Sequence, residues 1–254
     1  MADTAVLVPG MLCDSGLWAG VESRLELPVV HAELDRPSVT GMAEHVLSSV
    51  DGRVVLVGLS LGAIVGFEIA RLAPERVAGF AALATNAAAP RPEQHEGWRQ
   101  ADRRTEAGEF AAVVEEILPT MYAGQRPSPE LAREFREMAE RIGPRRFRTQ
   151  LAGQSTRTDA RAVLRTINVP SLVACGTEDA LCPPRIHREI ADHLGDTELH
   201  VVPAAGHLFP LEAPDTTAGL LNGLIRRCTS PILTEENDFA RSVEAPGAAA
   251  DGDR

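Results

Sequence analysis

The sequence contains no lysine and few aromatic residues: all 25 basic residues are arginine, and aromatic side chains make up only 4% of the 254 residues. Acidic residues outnumber basic ones by 36 to 25, which gives a formal net charge of −11 at pH 7. This charge disfavours nucleic acids and anionic membrane surfaces as partners. No apolar run approaches the roughly 20 residues that a membrane-spanning helix needs, so we expect no membrane segment.

Cysteine is also scarce. The four cysteines are Cys13, Cys175, Cys182 and Cys228, and their spacing matches neither a C-x-x-C pair nor a zinc site. The amino terminus leads directly into a short apolar strand, without the basic and apolar regions of a secretory leader. We therefore expect four reduced thiols and a cytoplasmic location.

Short apolar runs alternate with amphipathic segments along most of the chain. This alternation predicts an α/β fold, with a doubly wound, mostly parallel sheet of about six or seven strands. The strands are predicted at residues 5–8, 29–30, 54–57, 77–83, 169–176 and 198–202. Predicted helices include one that carries Leu17, Trp18, Val21 and Leu25, and others at residues 40–50, 184–194 and 214–227.

Residues 86–166 break the alternation. Arginine- and glutamate-rich helical segments are predicted there at 92–107, 109–118, 129–142 and 144–155, and prolines separate them. We interpret this stretch as a helical cap inserted into an α/β core formed by residues 1–85 and 167–228. Residues 229–254 are acidic and rich in alanine and glycine, which predicts a disordered tail.

The stretch Gly58-Leu59-Ser60-Leu61-Gly62 lies between a predicted buried strand and a predicted helix. A serine flanked by glycines at such a position fits the G-x-S-x-G nucleophile elbow. The small flanking residues let strand and helix approach closely, and the turn holds the serine in a rarely populated backbone conformation. The alternative is an ordinary glycine-bounded turn.

Two later stretches favour the nucleophile. Asp179 follows the strand at 169–176, and His207 follows the last strand, so both fall at the same edge of a parallel sheet as Ser60. A hydroxyl is a weak nucleophile at neutral pH and needs a base. The sequence thus predicts that His207 accepts the proton of Ser60 and that Asp179 orients the imidazole and stabilises its charged form.

Over roughly residues 4–228 the chain resembles the α/β-hydrolase superfamily, in which the triad follows in the order Ser, Asp, His. The Gly-Thr-Glu-Asp-x-x-x-Pro-Pro and Gly-His-x-x-x-x-Glu-x-Pro stretches are similar to those of capped bacterial esterases, lactonases and cofactor-free perhydrolases. The resemblance implies that Asp179, not Glu178, is the catalytic acid. It also implies a serine hydrolase that cleaves a small ester or lactone through an acyl-enzyme, without a metal or other cofactor.

The resemblance further implies two backbone donors for the oxyanion, the N–H groups of Leu61 and Met11. Pro9-Gly10 stands where many family members have His-Gly, which makes Leu12 the neighbouring alternative to Met11. Haloalkane dehalogenases and epoxide hydrolases are disfavoured because they have a carboxylate in place of Ser60. The alternatives that stay open are a thioesterase, a C–C bond hydrolase, a perhydrolase, a lyase that uses the triad, and a ligand-binding receptor on the same fold with slow turnover.

The substrate pocket is harder to place. We expect its lining to come from residues near the motifs and from the cap: Leu12, Trp18, Met121, Tyr122, Arg145, Arg146 and Phe209. The cap holds 14 arginines against 12 acidic residues, whereas the core holds 9 against 18. Arg145 and Arg146 could therefore contact an anionic substrate. The alternatives are that Trp18 only packs its helix and that the arginines pair with acidic residues, as Arg141 would with Glu137 four residues earlier. The other histidines, including His187, have no partner pattern.

Overall fold

A computed structural model describes residues 4–229 of the chain. It contains one sheet of six parallel strands in the order β2-β1-β3-β4-β5-β6. The strands are β1 (Thr4–Val8), β2 (Val29–His31), β3 (Val54–Leu59), β4 (Val77–Leu83), β5 (Ser171–Gly176) and β6 (Thr197–Val202). The predicted fold class and strand number are confirmed. The predicted tail, except Thr229, lies outside the described residues.

Helices follow most of the strands. They are α1 (Val39–Ser48), α2 (Leu61–Leu72), α3 (Pro92–Glu106), α4 (Phe110–Ile117), α5 (Pro129–Ser155), α6 (Arg161–Leu164), α7 (Pro184–Ala191), α8 (Phe209–Glu212) and α9 (Pro214–Thr229). Within residues 4–229, no helix has the length and apolar character needed to cross a membrane.

Helices cover both faces of the sheet. Since successive side chains of a strand point to opposite sides, each strand contributes residues to both apolar layers. On β1, Val6 and Val8 belong to the apolar cluster that includes residues of α1, α2 and α7, whereas Leu7 belongs to the cluster that includes residues of α9 and of helices that follow β4. The strands of such a doubly covered sheet are apolar throughout. All six residues of β3 are accordingly buried, which places its carboxyl end firmly between two helical layers.

Residues 86–166, hereafter the insertion, contain α3 to α6 and connect β4 to β5. The break predicted between residues 142 and 144 is present inside α5, where Gly143 has φ 69° and ψ 167°. A left-handed φ of this kind favours glycine. Pro144 follows it and begins the second half of α5, where a missing backbone N–H is tolerated.

The prediction of a helix carrying Leu17 to Leu25 was wrong. Two short 3₁₀ turns, Ser15–Trp18 and Glu22–Arg24, occupy this segment. Asp14 caps the first turn by accepting the Gly16 N–H at 2.9 Å. Glycines 16 and 20 both lie in the segment, and glycine lowers helix propensity by about 1 kcal/mol each. The spacing of apolar residues therefore reflects burial in the core and not a continuous helix.

Candidate active site

Ser60 lies in the turn from β3 to α2, with φ 54° and ψ −112°. A non-glycine residue in this region carries backbone strain, which surrounding structure must hold in place. The flanking glycines permit the close approach. A Cβ on Gly62 would lie 2.1 Å from the carbonyl oxygen of Val8, and one on Gly58 would lie 2.5 Å from the backbone of Ala63. Neither position tolerates any larger residue.

Hydrogen bonds from the end of β4 brace this turn. The Ser60 N–H donates to the Leu83 carbonyl, and the Thr85 hydroxyl donates to the Ser60 carbonyl, both at 2.9 Å. Thr85 is held in turn by His187, whose Nε2 accepts the Thr85 N–H at 2.9 Å. His187 is fully buried. It is therefore a structural histidine behind the serine, a role that no sequence pattern indicated.

His207 and Asp179 form a buried pair at the carboxyl ends of β6 and β5. Nδ1 of His207 lies 2.9 Å from Oδ2 of Asp179, and both side chains are at most 4% exposed. An ionised carboxylate only accepts, so the proton of this bond belongs on Nδ1 and leaves Nε2 free for the cavity. Glu178, the neighbouring acid, is exposed.

The environment of Asp179 favours its charged form. Burial on its own would raise the pKa of this carboxyl, but the charge and hydrogen bond of His207 lower it below its usual value. Oδ1 also accepts the N–H groups of Leu181 and Cys182 at 2.9 and 2.8 Å. A carboxylate with several donors stays ionised near neutral pH, as an orienting acid must.

Glu212 fixes the loop that carries His207. Its Oε2 accepts the Gly206 N–H at 2.7 Å, and its Oε1 accepts the Ala123 N–H of the insertion at 2.9 Å. Glu212 is the glutamate of the Gly-His-x-x-x-x-Glu-x-Pro stretch, and these bonds give it a structural role in this chain. The sequence pattern contained this signal, but the spacing alone did not reveal what the carboxylate binds.

The loop after β1 carries the two candidate oxyanion donors. Leu12 has a left-handed φ of 63°, and its N–H donates to Oε1 of Gln150 at 3.0 Å. Gln150 also donates from Nε2 to the Leu34 carbonyl at 3.3 Å and is 1% exposed. The Leu12 N–H is therefore occupied. The Met11 N–H has no acceptor among residues 4–229, which leaves it available.

Leu61 is the first residue of α2, so its N–H has no acceptor within the helix. Ser60 and Met11 line one cavity of about 400 Å³ together with His207 and Met121. Across the described chain, no hydrogen bond joins the Ser60 hydroxyl to the imidazole, a contact that often shortens only when substrate binds.

Several predicted pocket residues lie elsewhere. Leu12, Trp18, Tyr122 and Phe209 are at most 1% exposed and belong to the core, not to the cavity lining. The Tyr122 hydroxyl, for example, donates to the Leu131 carbonyl at 2.9 Å. The physical reason is general: large apolar side chains near a sheet edge stabilise more by full burial than by lining a solvated pocket.

The predicted arginine contacts were also wrong. Arg145 is exposed and Arg146 half-buried, and neither lines the cavity that contains Ser60. Arg146 instead pairs with Glu33 at 3.1 Å. The surface-pairing alternative thus describes Arg146 better, whereas Arg145 has no acidic partner among the described residues. Arg141 binds Asp14 at 2.6 Å and not the predicted Glu137.

The cavity lining includes residues that sequence reasoning missed. Gln154 and Arg157, at the end of α5 and just beyond it, line it and are nearly buried, at 8% and 7% exposure. Trp98 and Cys182 line it as well. In the sequence, Gln154 and Arg157 are two of many polar residues of the insertion, and no motif marks them. Only the packing of α5 shows that these two face the cavity.

One group could in principle hold a metal ion. Ligand atoms of Asp179, Cys182 and His207 lie within 4.8 Å of one another. However, burial raises the pKa of the Cys182 thiol, and a thiol must lose its proton to bind a metal. His207 and Asp179 already bond to each other through the atoms that would bind the ion. The residues thus fit a hydrogen-bonded pair better than a metal centre.

The chain shares its sequence pattern and fold with known hydrolases. The pimeloyl-[acyl-carrier protein] methyl ester esterase of Chromobacterium violaceum is 25% identical over 196 residues, covering 74% of this chain and 67% of the relative. A thermophilic esterase from Thermogutta terrifontis, solved with malate bound, superposes with a TM-score of 0.82 at 26% identity and covers 89% of this chain and 90% of its own.

The enol-lactonase from Burkholderia xenovorans has the same fold, with a TM-score of 0.80 at 20% identity over 89% of this chain and 92% of its own. A family model described as the alpha/beta hydrolase family matches residues 5–220. Because this match spans most of the chain, the protein is an enzyme of the alpha/beta hydrolase family.

Proposed function

We propose that the chain is a serine hydrolase that cleaves a carboxylic ester or lactone of a small molecule through an acyl-enzyme. The observation that carries this proposal is the buried His207–Asp179 pair, which faces the same cavity as the strained Ser60. The esterases and the enol-lactonase described above support the reaction class by likeness.

In the proposed first half-reaction, Oγ of Ser60 attacks the carbonyl carbon while Nε2 of His207 takes the hydroxyl proton. Asp179 keeps the proton of Nδ1 in place and stabilises the imidazolium that forms. The tetrahedral intermediate then collapses, the bond to the leaving oxygen breaks, and His207 donates its proton to the departing alcohol.

The negative oxygen of the intermediate needs donors in place before the reaction starts. The N–H groups of Met11 and Leu61 meet this need, since one has no acceptor in the described chain and the other opens a helix. A helix N-terminus also carries partial positive charge. Losing one such donor typically lowers kcat by a factor of about 10² to 10³.

In the second half-reaction, His207 removes a proton from water, and the hydroxide attacks the acyl-enzyme. Collapse of this second intermediate releases the carboxylic acid and returns the proton to Ser60. We propose in addition that the insertion acts as a cap over this site and that residues 1–85 and 167–228 form the catalytic core. Residues of the insertion, such as Met121 and Phe147, line the same cavity as Ser60.

The test is turnover of p-nitrophenyl esters from acetate to decanoate, together with labelling by a fluorophosphonate probe. We expect the wild type to hydrolyse members of the series and to react with the probe. Ser60→Ala should lose both, with kcat reduced by a factor on the order of 10⁴ or more.

Ser48→Ala is the matched control, because Ser48 is an exposed serine of α1 whose hydroxyl only bonds the His45 carbonyl. It should retain full activity and labelling. If the wild type hydrolyses none of these esters and does not react with the probe, the proposal is wrong, and a ligand-binding receptor on the same fold becomes the better description.

A further inference from the structure

The guanidinium of Arg157 is buried beside the cavity and has no acidic partner among residues 4–229. Arg157 is 7% exposed and lines the cavity that also contains Ser60 and His207. In the described chain, the titratable groups that act on it are another arginine, Arg91, and the thiol of Cys182, which burial keeps neutral, and no carboxylate is among them. Burying a charge without a partner is costly. This arrangement is therefore poor for stability alone.

The contacts that Arg157 does make leave it incompletely satisfied. Its Nη2 donates to Oε1 of Gln94 at a long 3.4 Å, and its guanidinium carbon lies 5.4 Å from the centre of the Trp98 ring. Its Nε–H has no acceptor within residues 4–229. Burial and the charge of Arg91 both lower the pKa of Arg157, yet a guanidinium stays protonated at neutral pH.

A second unpartnered group lies on the same wall. Oε1 of Gln154, three residues earlier, is also buried without a hydrogen-bond partner in the part of the chain that the structure describes. The amide of Gln154 can present either its oxygen or its NH₂ group to a ligand by rotation. Two buried polar groups without partners that line the same cavity indicate a place where a polar ligand group binds.

The other arginine of the cavity differs. Arg104 also lines it, but it is held by Glu109 at 2.8 Å and by Glu116 at 2.6 Å. Its charge is therefore neutralised within the protein. Arg157 is the cavity arginine whose charge is left for a ligand among the residues described.

The cavity that Arg157 shares with Ser60 is mainly apolar. Met121, Phe147, Leu151 and Leu181 line it, in a cavity of about 400 Å³. An aliphatic chain fits such a surface, and a terminal carboxylate can form two parallel hydrogen bonds with a guanidinium.

We propose that Arg157 binds a carboxylate of the substrate, so that the preferred ester or lactone carries a free carboxylate on a short aliphatic chain. This inference rests on the hydrolase function proposed above. Gln154 would complete the carboxylate site with its amide. The chemical class is that of monoesters of aliphatic dicarboxylic acids and of lactones with a carboxylate side chain.

The test compares charged and neutral esters of similar size. One pair is mono-p-nitrophenyl adipate and p-nitrophenyl hexanoate, which differ by a carboxylate in the acyl part. The other pair is 4-acetoxybenzoate and phenyl acetate, which differ by a carboxylate in the leaving group. The quantity compared is the specificity ratio, kcat/KM for the charged ester divided by kcat/KM for the neutral ester. For at least one pair, we expect Arg157→Gln to lower this ratio by about 30-fold, because a hydrogen bond to a charged group usually has an effect of this size.

Arg133→Gln is the control, because Arg133 is an exposed arginine on α5 with only a 3.7 Å contact to Glu137. It should leave both ratios at the wild-type value. Arg157→Lys keeps the charge but loses the planar fork, so its ratio should fall between those of the wild type and Arg157→Gln. Ratios in Arg157→Gln equal to those of the wild type for both pairs would overturn the proposal and indicate a purely structural arginine.

A binding experiment separates this inference from the hydrolase proposal. Calorimetry with adipate needs no turnover, and we expect Arg157→Gln to bind adipate about 30-fold more weakly than the wild type. If the wild type hydrolyses no ester but binds adipate through Arg157, the carboxylate site stands and the reaction is wrong. If esters are hydrolysed but adipate binds equally to both proteins, the carboxylate site is wrong.

Discussion

Acidification should destabilise this protein through His187. This histidine is 0% exposed, and its Nε2 accepts the Thr85 N–H at 2.9 Å, so the ring is neutral in the folded state. Burial lowers the pKa of His187 from 6.5 to about 4, although Asp179 and the Pro183 carbonyl oppose the shift and His207 adds to it. A proton on Nε2 would also face the Thr85 N–H and break this bond.

The size of the effect follows from the two pKa values. In the unfolded chain a histidine has a pKa of about 6.5, so between pH 6.5 and about 4 the unfolded state binds more protons than the folded state. The free energy of unfolding therefore rises with pH in this window and is lost as pH falls. The linkage relation gives a loss of about 2 kcal/mol at pH 5 and about 3 kcal/mol at pH 4. Total stabilities are commonly about 5 to 15 kcal/mol.

Urea unfolding at pH 7, 6 and 5 measures this loss. His187→Gln removes the titrating group, while its amide oxygen can still accept the Thr85 N–H. We expect the wild type to lose about 2 kcal/mol more than His187→Gln between pH 7 and pH 5. His200→Gln, at a half-exposed histidine of β6, should follow the wild type. Parallel pH curves for the wild type and His187→Gln would refute the reasoning.

Three further changes probe the site. Gln150→Met leaves the Leu12 N–H and the buried Leu34 carbonyl without partners. We therefore expect the free energy of unfolding to fall by about 3 kcal/mol and kcat for p-nitrophenyl acetate to fall by about 10-fold or more. An unchanged kcat would show that the loop after β1 does not depend on this amide. Asp179→Asn should lower kcat by a factor on the order of 10⁴ with little change in thermal midpoint, and a drop below 10-fold would contradict its orienting role. Glu212→Gln offers one carbonyl oxygen to two backbone N–H groups, so the free energy of unfolding measured with urea should fall by about 1 to 3 kcal/mol. The control, Glu198→Gln on the exposed edge strand β6, should lower it far less.

The sequence was a good guide to the site because its main parts are local. Ser60, Asp179 and His207 each follow a strand, and parallel strands bring their carboxyl ends to one edge. A short motif and its position after a strand therefore suffice to predict that the three residues lie at one edge of the sheet. The break in α5 was likewise predictable, because Gly143 and Pro144 disturb a helix by themselves.

The pocket was predicted poorly because its lining depends on long-range packing. Which face of α5 turns inward is decided by its contacts with the loop after β1, such as that of Gln150 with Leu12. Arg141, expected to pair along its own helix with Glu137, instead reaches Asp14 at 2.6 Å. Of the 14 arginines in the insertion, only Arg104 and Arg157 line the cavity among the residues described. That Arg104 has acidic partners there and Arg157 has none follows only from the packing of the whole insertion.

The second half of α5, which begins at Pro144, has a consequence for protein engineering. Gln150 accepts the Leu12 N–H in the loop that carries Met11, the proposed oxyanion donor, and Gln154, one turn later, lines the cavity. Exchanging the insertion for that of a related hydrolase, to change substrate range, would also remove the amide that holds Leu12 at its left-handed φ. A chimera of this kind must also carry a residue that accepts the Leu12 N–H, as Gln150 does. Without this contact, the chimera should bind the new substrate but turn it over slowly.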